Sequence, residues 1–326
     1  MTSTPLAGDS PPPGDMVWVP GGTFRMGSDR HYPEEAPARE VEVGGLWLGR
    51  TEVSNVAYAA FVAATGYLTV AERPLDPAHF PGAPPENLVP GSMVFVPTPG
   101  PVDLAHLSQW WAWTPGASWR HPEGLGSGVE ERPDHPVVHV AVEDAMAYCA
   151  WAGLELPTEA EWEHAARGGL PSATYTWGDQ PEGDGDRLAN FWHGDFPWRA
   201  DQGYGTTAPS GSFPVNGYGL ADMAGNVWEW TADWYTEDRW PDTAGCCVPR
   251  DPRGGTQQGS LDPRQPQFRV PRKVIKGGSF LCADSYCMRY RPSARRPQMI
   301  DTGMSHIGFR CAVRTPTDPF EAAPPS

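Results

Sequence analysis

Proline and glycine set the strongest limit on what this chain can fold into. Its 326 residues include 38 Pro and 37 Gly, whereas average usage is about 5% Pro and about 7% Gly. Proline interrupts helices and central strands and glycine favours turns, so long regular elements are disfavoured. The 15 Trp residues supply large apolar surfaces that can hold loops together. We therefore expect one loop-rich domain with modest regular secondary structure.

Capping signals predict three helices. Ser54 and Gly66 are suited to begin and end the first helix, and Thr158 with Glu161 forms a capping box for the third. Glycine also ends the third helix, at Gly168. The predicted helices cover residues 54–66, 142–153 and 158–169. The face expected to be buried on the first comprises Val56, Ala59, Ala60 and Ala63.

Alternating apolar and polar residues predict a few strands. From Met16 the sequence MVWVPGGTFRMGS indicates a strand, a turn at Gly21 and Gly22, and a second strand. Residues 41–53 indicate another strand or a hairpin, and residues 307–314 a closing strand. The long segment between the first two helices, residues 67–136, is expected to be mostly irregular.

The net charge of −16 argues against a nucleic-acid partner, because phosphate binding needs a basic surface. It is compatible with sites for hard cations and with attraction to a basic peptide. The first residues lack the positive start and apolar core of a secretory signal, and no apolar run is long enough for a membrane span. We therefore expect a cytoplasmic protein, in which cysteines are more often ligands or redox groups than disulfides.

Cys282 and Cys287 form the candidate chemical centre, within the stretch GGSFLCADSYCMRYR at 277–291. In a straight strand they would lie on opposite faces, about 17 Å apart, and on a helix they would also point apart. They meet only if the chain turns at residues 283–285. Such a pair is compatible with a structural disulfide, two buried thiols, a redox pair or a soft-metal site. Among metals, two-coordinate Cu(I) fits best, because closed zinc sites need four ligands.

Other cysteines and histidines are less informative. Cys246 and Cys247 are adjacent and can bond only in a strained ring, so we assign them no role. His121, His135 and His139 lack a metal-ligand spacing and are expected to be structural.

The segment GLADMAGNVWEWTADW at 219–234 combines carboxylates and amides with small residues. Oxygen-only ligands are what Ca²⁺ takes, but a tight, well-capped turn has the same composition. On the residues alone both interpretations stay open.

Several separated motifs resemble the formylglycine-generating enzymes, copper-dependent oxidases that convert a sulfatase cysteine to formylglycine. The motifs are GGSFLCADSYCMRYRPSAR, GFRC at 308–311, WRHPEG, RPDHPVVHV at 132–140 and LPTEAEWEHAARGG. The resemblance covers residues 16–314 and implies an α+β fold with low regular secondary structure, the family's variant of the C-type-lectin-like fold. We accordingly expect a single domain at 16–314 between a disordered tail at 1–15 and a loose tail at 315–326.

The resemblance also implies site residues. Cys282 and Cys287 would bind Cu(I), with Cys282 contacting the substrate and Cys287 needed for turnover. Ser279 and Tyr286 match positions that line the oxygen pocket, and Trp228 matches an aromatic wall of that pocket.

Two structural calcium sites are implied as well. The first would use Asn190, Asp201 and the carbonyls of Phe191 and Tyr204, although the family's aspartate falls at Gln202 here. The ligands carried over for the second are Asp222, Glu229 and the carbonyls of Gly225 and Val227.

The implied substrate is an unfolded sulfatase segment containing Cys-x-Pro-x-Arg, with O₂ and a thiol reductant as further partners. A candidate wall for its groove is the Trp-rich segment at 109–121, with Trp119 and Arg120 as contacts. The chain departs from the family at 292–307, where many members carry a Ser/Asn-Thr-Pro-Asp run. Cys149 and Cys311 match a disulfide pair of some members, and we expect a monomer.

Three other functions were weighed against the formylglycine-generating oxidase. A non-haem iron enzyme like the ergothioneine sulfoxide synthases would need an additional helical domain, for which this chain has no room. A lectin-like binding module would leave Cys282 and Cys287 dispensable. A thiol–disulfide redox protein normally has C-x-x-C on a βαβ unit, which this chain lacks.

Overall fold

A computed structural model describes residues 14–77, 84, 88–183, 185–239 and 248–314. The predictions for Cys246 and Cys247, for most of the N-terminal tail and for the C-terminal tail lie outside these residues.

The three predicted helices are confirmed. They are α1 (Asn55–Thr65), α2 (Val142–Ala152) and α3 (Glu159–Arg167). The Ser54 side chain accepts a hydrogen bond from Ala57 N, and the reciprocal capping box of Thr158 and Glu161 is formed. Short 3₁₀ turns lie at Pro33–Glu35, Val70–Glu72, Leu107–Gln109 and Gln258–Ser260.

The buried face predicted for α1 is wrong. Val56 is 55% exposed, whereas Tyr58 and Phe61 are buried and pack edge to face on each other and on neighbouring aromatic rings. The larger aromatic side chains bury more area than valine or alanine, so they decide which face of the helix meets the core.

Thirteen short strands are described. They are β1 (Met16–Val19), β2 (Gly22–Met26), β3 (Arg39–Val43), β4 (Leu46–Gly49), β5 (Gly91–Phe95), β6 (Trp111–Pro115), β7 (Gly194–Asp195), β8 (Arg199–Ala200), β9 (Trp228–Trp234), β10 (Arg272–Lys276), β11 (Arg296–Met299), β12 (Ile307–Gly308) and β13 (Ala312–Arg314). They form sheets of order β1-β4-β13 and β11-β10-β9-β12, and the pairs β2-β3, β5-β6 and β7-β8.

The strands at both ends of the domain exist, but they pair differently from what their spacing suggests. β1 pairs with β4 and β2 with β3, so neither predicted strand–turn unit is a hairpin. The two connections cross closely, because a Cβ on Gly21 would lie only 2.7 Å from Gly45 N. The predicted closing strand is split into β12, which lies parallel to β9, and β13 on β4.

Buried ion pairs tie the loops to the hydrophobic core. Arg310 binds Glu229 and Arg291 binds Glu35, and all four side chains are fully buried. Loops make few regular backbone hydrogen bonds, so buried side-chain contacts of this kind supply much of the linkage between the loops and the core. No helix among the described residues is long and apolar enough to cross a membrane.

Candidate active site at a buried cysteine pair

The chain brings Cys282 and Cys287 together by the predicted turn. The carbonyl oxygen of Ala283 accepts hydrogen bonds from Tyr286 N at 2.9 Å and Cys287 N at 2.6 Å, which closes a tight turn. The two Sγ atoms then lie 3.5 Å apart. Cys282 is 2% exposed and Cys287 is 4% exposed, so the pair belongs to the hydrophobic core.

The two thiols differ in acidity. The hydrogen bond from the Cys282 thiol lowers the pKa of Cys287 to about 6; burial opposes this shift and the positive charge of Arg289 supports it. Burial, and donation of its proton to Cys287, raise the pKa of Cys282 well above its usual value. These opposite shifts make Cys287 the more acidic thiol of the pair.

Ser279 and Tyr286 belong to the same segment as the pair, and Tyr286 packs against the hydrophobic cluster that contains both cysteines. The Tyr286 ring stacks on Phe196 at 4.7 Å and meets Trp110 edge to face at 5.6 Å. Ser279 is fully buried, and its Oγ accepts a hydrogen bond from Leu281 N at 3.3 Å. Trp228 lies in the core cluster that contains both cysteines. Ser279 and Tyr286 thus share one loop with the cysteine pair, whereas Trp228 comes from β9.

The donor set fits a soft metal. Two sulfur donors select Cu(I), zinc or iron–sulfur centres over magnesium or calcium. Within the described ranges, no group of three or more His, Cys, Asp or Glu side chains is arranged to hold a metal. A closed four-ligand zinc site is therefore not formed there, and two-coordinate Cu(I) agrees with the donors present.

The expected groove wall at Trp119 is wrong. Its ring is 1% exposed and packs on Tyr58 at 5.2 Å, inside the core. The Arg120 guanidinium carbon lies 4.3 Å from the centre of that ring, and Arg120 Nε pairs with Glu72 at 3.6 Å. The exposed apolar groups of this region are instead Trp113 and Leu107, both about two-fifths exposed. The tryptophans of residues 109–121 follow no helical or strand periodicity, so the sequence does not indicate which of their rings face the solvent.

The first implied calcium site has one free buried acceptor. Asn190 is 1% exposed, and its Nδ2 donates to Thr206 O and to Asn226 Oδ1. Its Oδ1 has no hydrogen-bond partner among the residues described. Such an unsatisfied oxygen suits a cation, whereas Asp201 is exposed and so contributes less to a closed site.

The second implied site fits only in part. Both oxygens of Glu229 already accept hydrogen bonds from Arg310 at 2.6 Å, and one also accepts from Trp162 Nε1. Asp222 accepts from Gly211 N at 2.5 Å. The two implied carbonyl ligands belong to Gly225 and Val227. Gly225 packs directly against Asn190, because a Cβ at this position would lie 2.2 Å from Asn190 O, and Val227 is fully buried.

Glu52 joins this acidic cluster, which the sequence did not indicate. Its Oε1 accepts from Asn226 Nδ2, whereas its Oε2 has no partner in the described part of the chain. Burial, and then the neighbouring charge of Asp222, raise the pKa of Glu52 well above its usual value. Burial also raises the pKa of Asp222 to about 6. Ionising all three carboxylates beside one guanidinium would leave an excess of buried negative charge, which a divalent cation would offset.

The remaining predicted groups are also located. Cys149 Sγ and Cys311 Sγ lie 3.5 Å apart and both are buried free thiols, so the chain brings this pair together without a bond. His121, His135 and His139 each hydrogen-bond a nearby oxygen, which agrees with structural roles.

The family model described as the sulfatase-modifying factor enzyme 1-like domain matches residues 4–315. The chain is 53% identical over 303 residues to the formylglycine-generating enzyme of Mycobacterium tuberculosis, covering 92% of this chain and 97% of that protein. It is 41% identical over 307 residues to the Bos taurus enzyme of the same name, covering 93% of this chain and 75% of that protein. A mouse relative, 36% identical over 309 residues, covers 91% of this chain and 85% of that protein and is named inactive Cα-formylglycine-generating enzyme 2.

Solved structures share the fold. PvdO from Pseudomonas aeruginosa aligns with a TM-score of 0.58 at 22% identity, covering 91% of this chain and 93% of that one. CarF aligns with a TM-score of 0.51 at 21% identity, covering 92% and 98%. The expected α+β fold with little regular structure, in the family's variant of the C-type-lectin-like fold, is confirmed.

Proposed function

The chain belongs to the sulfatase-modifying factor family of formylglycine-generating enzymes, and on that premise we propose that it is a copper-dependent oxidase. Its substrate would be the cysteine of a Cys-x-Pro-x-Arg segment in an unfolded sulfatase, which it converts to Cα-formylglycine with O₂. The observation that carries the proposal is the Cys282–Cys287 pair, with its sulfurs 3.5 Å apart in a buried turn.

The cysteine pair would hold Cu(I), which when bound supplies the one-electron chemistry that lets O₂ oxidise the carbon next to sulfur. Cys287 is already biased toward the thiolate, and Cys282 loses its proton when it becomes a ligand. Burial keeps water away from both sulfurs. The fully buried Ser279 and the stacked Tyr286 would line the oxygen pocket beside the pair, and their burial and stacking support a site that is ordered before substrate arrives.

The electron balance requires a reductant. Conversion of a cysteine to an aldehyde with release of its sulfur as sulfide gives up half of the electrons that O₂ needs to form water. A thiol reductant supplies the other half and leaves as a disulfide. This requirement agrees with a reducing cytoplasm as the working compartment.

The net charge favours the proposed peptide partner. A net charge of −16 attracts a segment that carries arginine. The implied calcium ions would act structurally, with Asn190 at the first site and the cluster of Glu52 and Asp222 at the second.

The proposal is tested with purified protein, a Cys-x-Pro-x-Arg peptide, Cu(I), a thiol reductant and air. An aldehyde-reactive probe should report product, and omission of copper or of O₂ should abolish it. Cys282→Ser and Cys287→Ser should each remove turnover, whereas Cys149→Ala, which leaves the candidate pair intact, should keep it. Product formation by Cys287→Ser, or none by the copper-loaded wild type, would contradict the proposal; the second result would favour a non-catalytic binding module.

A further inference from the structure

A guanidinium group faces the cysteine pair from the next turn of the chain. Arg289 Nη1 donates a hydrogen bond to Cys287 Sγ at 3.7 Å. The other edge of the same guanidinium is taken by Glu34, whose Oε1 accepts from Nε at 3.2 Å and from Nη2 at 2.7 Å. The planar fork of arginine fixes the direction of its donors, so binding at Glu34 leaves Nη1 directed at the sulfur.

A distant segment, which we call the Tyr32–Glu35 clamp, holds this arginine in place. The Tyr32 ring lies 3.8 Å from the Arg289 guanidinium carbon, and its Oη accepts a hydrogen bond from Met288 N at 3.2 Å. One residue beyond Glu34, Glu35 binds Arg291 through both carboxylate oxygens, at 2.8 and 2.5 Å. Both members of that pair are 0% exposed, which anchors the clamp to the core.

The charge of the loaded site explains why a cation would be placed there. Cu(I) bound by two thiolates leaves one net negative charge, and a substrate thiolate adds another. Both cysteines lie in an apolar cluster, where an uncompensated charge is strongly unfavourable. Arg296 also acts on Cys287 electrostatically, after Arg289 in strength.

We propose that Arg289 is a positioning residue that offsets the negative charge of the copper-loaded cysteine pair, and that the Tyr32–Glu35 clamp fixes it for this purpose. The inference rests on the proposed function, since it concerns the copper site. A purely structural reading accounts less well for the contacts. The Arg289–Glu34 pair is about one-fifth exposed on each side and uses only Nε and Nη2 of the arginine, so it does not account for the contact of Nη1 with Cys287 Sγ.

The test is the Cu(I) dissociation constant, measured without O₂ by competition with a coloured Cu(I) chelator, so that no turnover is needed. Arg289→Gln should weaken Cu(I) binding about tenfold or more, the effect expected for one lost charge-assisted hydrogen bond. Arg289→Lys keeps the charge but not the planar fork, so it should lose clearly less Cu(I) affinity than Arg289→Gln. Arg264→Gln, which removes a positive charge from a side chain 72% exposed, should leave Cu(I) affinity unchanged.

The measured Cu(I) affinities separate the role of Arg289 from the copper site itself. Wild-type affinity in Arg289→Gln would overturn it while leaving the copper site itself standing. An equal loss in Arg289→Lys and Arg289→Gln would also overturn it, because charge would not be the cause. If Arg289→Gln fails to fold, Arg289→Lys is compared with wild type alone, and a loss of tenfold or more in that variant would overturn the inference. A wild type that binds no Cu(I) would overturn both this inference and the proposed function. Binding with no aldehyde formation would reject the function alone.

Discussion

His139 shows how a single buried side chain is held in one protonation state. It is 0% exposed, and its two ring nitrogens contact Ser92 Oγ and Pro122 O, both at 2.8 Å. A neutral ring with the proton on Nε2 donates to the Pro122 carbonyl, and the Ser92 hydroxyl donates its own hydrogen to Gly303 O at 2.8 Å. Burial lowers the pKa of His139 to about 4, so the fold keeps this ring neutral.

This state predicts a pH dependence of stability. The pKa of this histidine is near 6.5 in the unfolded chain and about 4 in the folded protein. Between these two pH values the unfolded chain binds a proton that the folded protein does not bind, so stability falls as pH falls through this window. Wild type should lose about 2 kcal/mol more than His139→Asn between about pH 7 and about pH 5. Asparagine suits the control because His139 has φ 61°, which asparagine tolerates. Equal losses in urea unfolding of the two proteins would contradict the assignment.

Helix α3 depends on its capping box more than α1 depends on its single cap. Thr158 Oγ1 accepts from Glu161 N at 3.1 Å and Glu161 Oε2 accepts from Thr158 N at 2.7 Å. The corresponding Ser54 contact with Ala57 N is 3.4 Å long. Thr158→Ala should therefore cost about 1 kcal/mol of unfolding free energy, and Ser54→Ala less. A larger loss for Ser54→Ala in chemical denaturation would reverse this ranking.

The Tyr32–Glu35 clamp should also be visible in stability. Arg291→Gln leaves the fully buried Glu35 carboxylate without its cation, which should cost about 3–5 kcal/mol. The double variant Glu35→Gln/Arg291→Gln removes both charges and should lose clearly less than the single variant. Urea unfolding of the two variants measures the difference, and a double variant as unstable as the single one would show that charge pairing is not what anchors the clamp.

Local sequence signals predicted where helices and turns form better than they predicted which strands pair and which distant side chains meet. Capping residues such as Thr158 and Gly168 act within one turn, so the bounds of α3 and the turn that joins Cys282 to Cys287 could be read from the sequence. Pairing of β1 with β4 depends on contacts made elsewhere, as does the approach of Glu34 to Arg289 across 255 positions. For the same reason the sequence could not show that Trp119 faces inward or that Glu52 joins Asp222.

At the scale of the whole molecule, the loop-rich domain is held by buried polar contacts as much as by its sheets. The acidic cluster of Glu52, Asp222 and Glu229 is offset only in part by Arg310. The segment around Gly225 connects this cluster to Asn190, because Asn226 N donates to Asn190 O at 2.7 Å. A cation bound at either site would therefore tie together segments that are distant in sequence.

Calcium should accordingly stabilise the protein. At a calcium concentration about 100-fold above the dissociation constant, binding adds about 2.7 kcal/mol, which raises Tm by roughly 5 °C for a domain of this size. Magnesium, which prefers a rigid octahedral shell, should give a smaller shift. Glu52→Gln and Asn190→Ala should each reduce the calcium effect in thermal melts with and without chelator. A wild-type Tm that calcium leaves unchanged would argue against both implied sites.

The decisive measurement is mass spectrometry of a peptide that carries one cysteine in a Cys-x-Pro-x-Arg motif and a second cysteine outside it. After incubation with copper-loaded protein, thiol and air, the motif cysteine alone should be converted to the aldehyde, and Cys287→Ser should give none. Conversion of both cysteines, or equal conversion by Cys287→Ser, would contradict an oxidase built on the Cys282–Cys287 pair.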